Sequence, residues 1–167
     1  MSFNNYEMPL CIEDLVKTIY MEMDITTPEE LNTRCLMERV SDYFHIRLHY
    51  FDEQSEANNL GGNFHIFLNK NQSSQRQWQD FGHELGHILG HEGCQLGLPA
   101  LFRHYQEGQA KKFAYHFCVP SFMLWQLDEI AVSEIMNIFH MEYPFAMQRL
   151  EIHKNLVWEV VRNGKLS

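Results

Sequence analysis

Three residues in one short segment have the types and spacing of a hydrolytic metal site. His83, Glu84 and His87 follow the pattern His-Glu-x-x-His. In an α-helix, side chains four residues apart project from the same face about one turn apart, so the two imidazoles could share one Zn²⁺. Glu84 would then lie beside the metal without binding it, where it could take a proton from a metal-activated water and give it to a leaving amine. The pattern therefore predicts hydrolysis of an amide bond.

The sequence around this motif favours a helix that buries the opposite face. Helical periodicity runs from about residue 73 to about residue 91, and glycines and a proline then break it. Apolar residues within that stretch recur at helical spacing and would face a core. They are Trp78, Phe81, Leu85, Ile88 and Leu89.

A catalytic zinc needs a third protein ligand and an open fourth position. One known arrangement has a histidine six residues after the second, but Gly93 stands there. His91 lies one turn further along the same helix, about 12 Å of rise from the first histidine, which is too far for one metal. Glu92 would need a sharp chain reversal to return. A third arrangement takes a glutamate from the following helix, and Glu107, twenty residues after His87, suits it; His104 could share that pocket or be solvated.

The rest of the chain predicts an α+β protein in which helices surround a small antiparallel sheet. Alternating apolar residues indicate strands at about 46–50 and 64–68, and the polar stretch 52–59 between them predicts a surface loop. Residues 27–30 form a capping box, Thr-Pro-Glu-Glu, that opens the second helix. The predicted helices cover about 9–22, 27–43, 73–91, 100 or 104 to 119, 121–140 and 145–162.

Composition and charge limit the possible classes of protein. The 167 residues are 45% apolar and 21% charged, which is ordinary globular usage. A net charge of −9 disfavours direct binding to nucleic acid. The N-terminal residues lack a secretory signal, no apolar run is long enough to span a bilayer, and the four cysteines are scattered. These features predict a cytoplasmic protein with reduced thiols.

From about residue 66 to residue 120 the sequence resembles the ImmA/IrrE metallopeptidases. The resemblance includes a strand that ends in asparagine, the helix with the His-Glu-x-x-His motif, and a following helix that begins with glutamate and is closed by proline. The matching segments are Ile66-Phe67-Leu68-Asn69, Gln75-Arg76-Gln77-Trp78, Phe81-Gly82-His83-Glu84-Leu85-Gly86-His87, Glu107-Gly108-Gln109-Ala110-Lys111-Lys112-Phe113-Ala114 and Val119-Pro120.

This resemblance implies a zincin-like fold and a zinc-dependent, site-specific protease. Its metal ligands would be His83, His87 and Glu107, and its catalytic base Glu84. Members of the family act on helix-turn-helix repressors, which relieves repression of a prophage, a mobile element or a stress response. We accordingly expect a metallopeptidase core over residues 1–120, a helical subdomain over 121–167 packed on it, and a repressor protein as the partner.

Two other function classes and several site roles stay open at this point. The chain could bind a repressor without cutting it, or hydrolyse a non-peptide amide. The edge of the 64–68 strand could hold an extended peptide. The group that stabilises the oxyanion could be His104, Tyr105 or His116, and the loop 92–103 could gate the site. The helix, break and helix at the C-terminus superficially resemble a DNA-binding motif, but residues 127–150 carry four acidic residues and one basic residue, Arg149.

Overall fold

The structure, a computed structural model, describes residues 12–90 and 100–164 and has the predicted α+β class. The start predicted for the first helix near residue 9, the roles considered for His91 and Glu92, and most of the proposed gating loop lie outside these residues. The elements in chain order are α1 (Ile12–Glu22), a 3-10 turn (Pro28–Glu30), α2 (Thr33–Tyr43), β1 (Arg47–Phe51), β2 (Glu56–Leu60), β3 (Asn63–Asn69), α3 (Ser74–Gly90), α4 (Ala100–Cys118), α5 (Ser121–Leu124), α6 (Val132–Ile138) and α7 (Tyr143–Gly164).

The sheet is mixed, and the prediction of an antiparallel sheet was wrong. Its strand order is β1-β3-β2, with β1 parallel to β3 and β2 antiparallel to β3. The reason is the four-residue connection 52–55, which carries the chain from β1 across the end of β3 to the far side. β3 returns between the two earlier strands and therefore runs in the same direction as β1.

A second prediction was wrong. Residues 52–59 were expected to form a loop, but Glu56–Leu60 form the strand β2. A two-residue hairpin joins β2 to β3, and both of its residues, Gly61 and Gly62, have positive φ angles of 62° and 88°. Such turns match the natural twist of paired strands and are strongly populated by glycine. The polar residues of β2 are thus held in a strand by pairing with β3 along its whole length.

The core lies between the sheet and the helices. Trp78, Phe81 and Leu85 of α3 are fully buried, as their spacing predicted, and they join Ile66 and Leu68 of the central strand in one cluster. Because three consecutive helical turns of α3 are fixed in this way, the opposite side of the same helix is held in a defined orientation.

The remaining predicted helices differ in two places. The second helix begins at Thr33 with Asn32 as its cap, whose side chain accepts from the Cys35 N–H at 3.0 Å. The predicted capping box is present, with Glu30 accepting from the Thr27 N–H at 3.1 Å, but it caps the separate 3-10 turn and not the second helix. The predicted helix 121–140 is divided into α5 and α6. After α5 ends, the Gln126 side chain donates to the Thr26 carbonyl at 2.9 Å, which is a tertiary contact that no periodicity reports.

Two further predictions concern the chain as a whole. No helix in the described ranges is long and apolar enough to cross a membrane. Within those ranges Cys35 and Cys118 are free thiols, the first exposed and the second buried. The division into a core over 1–120 and a helical subdomain over 121–167 stays a prediction.

Candidate metal centre

The helices α3 and α4 pack unusually closely, and two glycines of α3 make this possible. A Cβ atom built on Gly86 would lie 3.0 Å from both the Cα and the carbonyl oxygen of Ala110, and one on Gly82 would lie 2.7 Å from the Cys118 sulfur. The glycines are four residues apart, so they form one smooth face against α4. A side chain at either position would push the two helices apart.

This close packing brings a carboxylate of α4 onto the two histidines of α3. The Nε2 atoms of His83 and His87 are 3.1 Å apart. Each lies 3.2 Å from a different carboxylate oxygen of Glu107. Within the described part of the chain, these are the three side chains whose donor atoms converge as a metal site requires, all within 4.8 Å of one another.

The spacing of these donor atoms fits a tetrahedral zinc. Ligands at 2.0–2.1 Å around a tetrahedral ion lie about 3.3 Å from each other. The two Nε2 atoms are 3.1 Å apart, and each is 3.2 Å from the Glu107 oxygen that it faces. Two imidazoles and one carboxylate are also a ligand set that zinc accepts in catalytic sites. The Glu107 side chain is 60% exposed and those of His83 and His87 are 29% and 17% exposed, so the cluster opens towards solvent on one side.

Glu84 lies beside this cluster in a different environment. Its side chain is 9% exposed, and burial raises the pKa of its carboxyl to about 8. The nearby backbone N–H of Ala57 in β2 opposes this rise of the pKa, whereas the nearby carboxylates of Asp80 and Glu107 add to it. A raised carboxyl pKa, caused by burial and by neighbouring negative charge, is typical of groups that exchange protons during a reaction.

A cleft of about 460 Å³ continues from Glu84 and His83 along the two helices. Its floor includes the rings of Tyr115 and Phe145, whose centroids lie 4.5 Å apart. Asp80 and Lys111 also line it. The sequence did not reveal this cleft, because it forms where α3, α4, the start of α7 and the connection between β1 and β2 meet.

The structure changes which strand edge is available to a peptide. The conjecture that the 64–68 strand offers its edge was wrong, because β3 is paired on both sides. Among the described strands, β2 is an outer strand, and its Ala57 N–H reaches Glu84. The edge beside the candidate site is therefore that of β2.

One of the three residues considered for oxyanion stabilisation lies elsewhere. His116 is 3% exposed, its Nδ1 is 3.4 Å from a carboxylate oxygen of Glu13 in α1, and it lines a separate cleft with Lys17 and Trp125. Tyr105 is largely exposed on α4. The side chain of His104 lies outside the part of the chain that the structure describes.

Comparison with known proteins agrees with the class that this geometry defines. The model of a peptidase family, the M78 peptidases, described as the IrrE N-terminal-like domain, matches residues 33–151. The chain belongs to this ImmA/IrrE family, whose peptidases are generally metal-dependent.

Two relatives from Bacillus subtilis (strain 168) show similarity along most of the chain. The phage-like element PBSX protein XkdA is 37% identical over 146 residues, which cover 84% of this chain and 72% of the relative. The uncharacterized protein YqaB is 34% identical over 147 residues, which cover 85% of this chain and 83% of the relative.

Proposed function

We propose that this chain is a zinc-dependent, site-specific metalloprotease that cleaves a helix-turn-helix repressor in the cytoplasm. One observation carries the proposal. His83, His87 and Glu107 converge at 3.1–3.2 Å while Glu84 lies buried next to them, in a chain of a peptidase family. The zincin-like character of the fold and the roles of these four residues are part of the proposal.

Three of these residues would bind the metal, and the fourth would transfer the proton. His83, His87 and Glu107 would hold the zinc, which would supply a Lewis acid able to polarise the scissile carbonyl and to lower the pKa of a water. Glu84 would accept the proton of the attacking water and deliver it to the leaving amine. Its burial would keep bulk water away from that transfer.

The surroundings of Glu84 suit an extended peptide. The β2 edge could add the peptide as a further strand, whose main-chain hydrogen bonds would give affinity without sequence preference. The adjoining cleft of about 460 Å³ is large enough to take one large side chain. Because this cleft has an aromatic floor and a charged rim, it would select among residues next to the scissile bond.

A repressor as substrate is supported by the resemblance and by the context of one relative. XkdA carries the name of a phage-like element. A protease of such an element that removes a repressor would act as an anti-repressor and induce the element. The chain need not bind DNA itself to do so, in line with its net charge of −9.

The test uses the zinc-loaded protein and a helix-turn-helix repressor encoded beside its gene. We expect about one zinc per chain, a single cleavage site, and loss of cleavage with a chelator. Glu84→Gln should keep the zinc and lower kcat by about 100-fold or more, because only the proton acceptor is removed. Glu38→Gln in α2, an exposed change of the same kind, should leave kcat unaltered.

Other results would favour the alternatives. Repressor inactivation that survives Glu84→Gln would show a binding regulator and not a protease. Digestion of many unrelated unfolded proteins at many bonds would contradict site specificity. Hydrolysis of small amides without any cut in a protein would favour the non-peptide substrate.

A further inference from the structure

The connection between β1 and β2 has to cross the end of β3 in four residues, 52–55. Its last residue, Ser55, is buried although its neighbours along the connection are exposed. It lies directly before β2, the outer strand that reaches the candidate metal centre. A buried hydroxyl at this place must find partners for its donor and its acceptor.

Ser55 finds both partners, and they belong to two different elements. Its Oγ accepts a hydrogen bond from the backbone N–H of Asn69, the last residue of β3, at 3.1 Å. The same hydroxyl donates to a carboxylate oxygen of Asp80 in α3 at 2.7 Å. One side chain therefore joins the beginning of β2, the end of β3 and the helix that carries the metal-binding histidines.

Asp80 is itself held in place within α3. Its second carboxylate oxygen accepts from Arg76 Nε at 2.8 Å, one helical turn earlier, and its side chain is only 17% exposed. A bond to each oxygen fixes the rotation of the carboxylate, so its direction towards Ser55 is defined. Asp80 also lies one turn before Glu84 on the same helix.

A second contact between the strand and the helix lies two residues beyond Ser55. The backbone N–H of Ala57 lies close enough to the Glu84 carboxylate to oppose the rise of its pKa. Ser55 binds Asp80 and Ala57 lies near Glu84, so the two pairs are two residues apart on the strand and four apart on the helix. Pairing with β3 holds β2 in the sheet, whereas the Ser55–Asp80 bond ties the residue before β2 directly to α3.

We infer that Ser55 and Asp80 are positioning residues that set the distance between the β2 edge and Glu84. The inference rests on the proposed function, in which a peptide lies along that edge. Through this link, the peptide backbone and the proton acceptor would keep the mutual geometry that the reaction needs. A displacement of about 1 Å between reacting groups can lower a rate by as much as 100-fold.

The test compares three variants of the zinc-loaded protein. Ser55→Ala removes both hydrogen bonds, whereas Ser55→Thr keeps the hydroxyl. Asp52→Asn is the matched control, because Asp52 binds Lys70 at 2.9 Å and Asn71 at 3.1 Å from the other end of the same connection and has no bond to α3 among the described contacts. We expect Ser55→Ala to lower kcat about tenfold with KM within about twofold. Ser55→Thr should restore kcat, and Asp52→Asn should retain it.

A second measurement does not depend on turnover. The amide hydrogen of Ala57 should exchange faster in Ser55→Ala than in the wild type or in Asp52→Asn, while zinc affinity stays the same. Asp80→Ala should lower kcat similarly, and the double variant should lose no more than either single one, because both belong to one link.

Several outcomes would overturn the inference. They are additive losses in the double variant, an unchanged kcat with only lower thermal stability in Ser55→Ala, or an unchanged exchange rate of Ala57. A wild-type protein that binds zinc and cuts no protein would instead refute the proposed function. In that case the exchange measurement still decides whether Ser55 and Asp80 hold the strand.

Discussion

The helix α4 carries two clusters of histidine and glutamate, and they are built in opposite ways. Near its beginning, Glu107 meets His83 and His87 at 3.2 Å, with the carboxylate 60% exposed. Near its end, His116 meets Glu13 at 3.4 Å and is 3% exposed. Both clusters contain residue types that bind metals, and both join α4 to another helix.

The two clusters differ in the hydrogen-bond partners of their carboxylates. Glu13 accepts from the Ser121 hydroxyl at 2.8 Å, and that hydroxyl in turn accepts from the fully buried guanidinium of Arg149 at 2.8 Å. The carboxylate thereby balances a buried positive charge. Burial lowers the pKa of Arg149 to about 10 and that of His116 to about 4, so the imidazole is neutral at physiological pH. Residue types alone do not make a metal site; converging donor atoms with an open side do.

The largest effects are expected when Glu107 and Glu13 are replaced separately. One replacement should lower zinc affinity and the other the stability of the fold. Glu107→Ala would remove the proposed anionic ligand, so zinc affinity should fall by more than about 100-fold and activity with it, while the fold is retained. Glu13→Ala should leave zinc affinity within about twofold, but lower the free energy of unfolding by about 1–3 kcal/mol because buried donors lose their acceptor. Zinc titration with a competing chelator and urea denaturation measure these quantities.

Glu92 is the alternative third ligand that the same zinc titration tests. It was the nearest acidic rival in the sequence, and it lies outside the described residues. If Glu107→Ala keeps full zinc occupancy under mild chelation while Glu92→Ala loses it, Glu107 is not the third ligand.

The buried cluster also predicts a pH dependence of stability. The pKa of His116 is about 4 in the folded chain, against an ordinary value of 6.5, because its burial disfavours the imidazolium. Between these values the unfolded chain binds a proton that the folded chain does not. The contribution of His116 to the free energy of unfolding is therefore fully present above pH 6.5. It is lost as the pH falls towards 4, by up to about 3 kcal/mol.

The variant His116→Gln isolates this contribution, because it lacks the titrating imidazole and keeps every other titratable group of the wild type. The difference in unfolding free energy between wild type and variant should change with pH between 6.5 and 4 and stay constant above 7. A difference that is the same at pH 7.5 and pH 4.5 would contradict the assignment.

A smaller effect is expected where the two helices touch. Gly86→Ala places a Cβ 3.0 Å from the backbone of Ala110, so the helices should separate slightly, at a cost of about 1–3 kcal/mol in stability. Zinc affinity should fall by about tenfold, because Glu107 moves away from the histidines while all ligands remain. Gly108→Ala in α4 is the matched control, since its Cβ would meet no atom within 4 Å. Equal zinc affinities in the two variants would contradict the role of the close approach.

The sequence predicted the parts of this site that depend on local spacing. The convergence of His83 and His87 follows from the geometry of one helix, and Glu107 was predicted to join them from its place on the following helix and from the family resemblance. The roles of these residues stay part of the proposal. The strand β2 was missed because its residues, Glu56 to Leu60, are mostly polar; pairing with β3 imposes its structure, and Gly61-Gly62 was the one local signal. The mixed sheet and the Ser55–Asp80 link depend on contacts between distant segments, which periodicity within a segment does not record.

The smallest effect is expected for DNA binding, and it tests whether α6 and α7 act as a DNA-binding pair. Their helix-turn-helix appearance would require a cluster of exposed bases, yet Arg149 is fully buried and donates to the carbonyl of Val119 at 2.9 Å. The two exposed basic residues of α7, Lys154 and Arg162, are matched by two exposed glutamates, Glu151 and Glu159. Phosphate contacts by arginine and lysine supply most of the non-specific affinity for DNA, and that affinity falls steeply with salt. We therefore expect no shift of duplex DNA at micromolar protein near physiological salt. Arg149→Met should also leave DNA mobility unchanged while it alters stability, because this guanidinium belongs to the buried cluster. A complex at submicromolar protein that weakens with salt would contradict this expectation and show that a basic surface of the chain binds DNA.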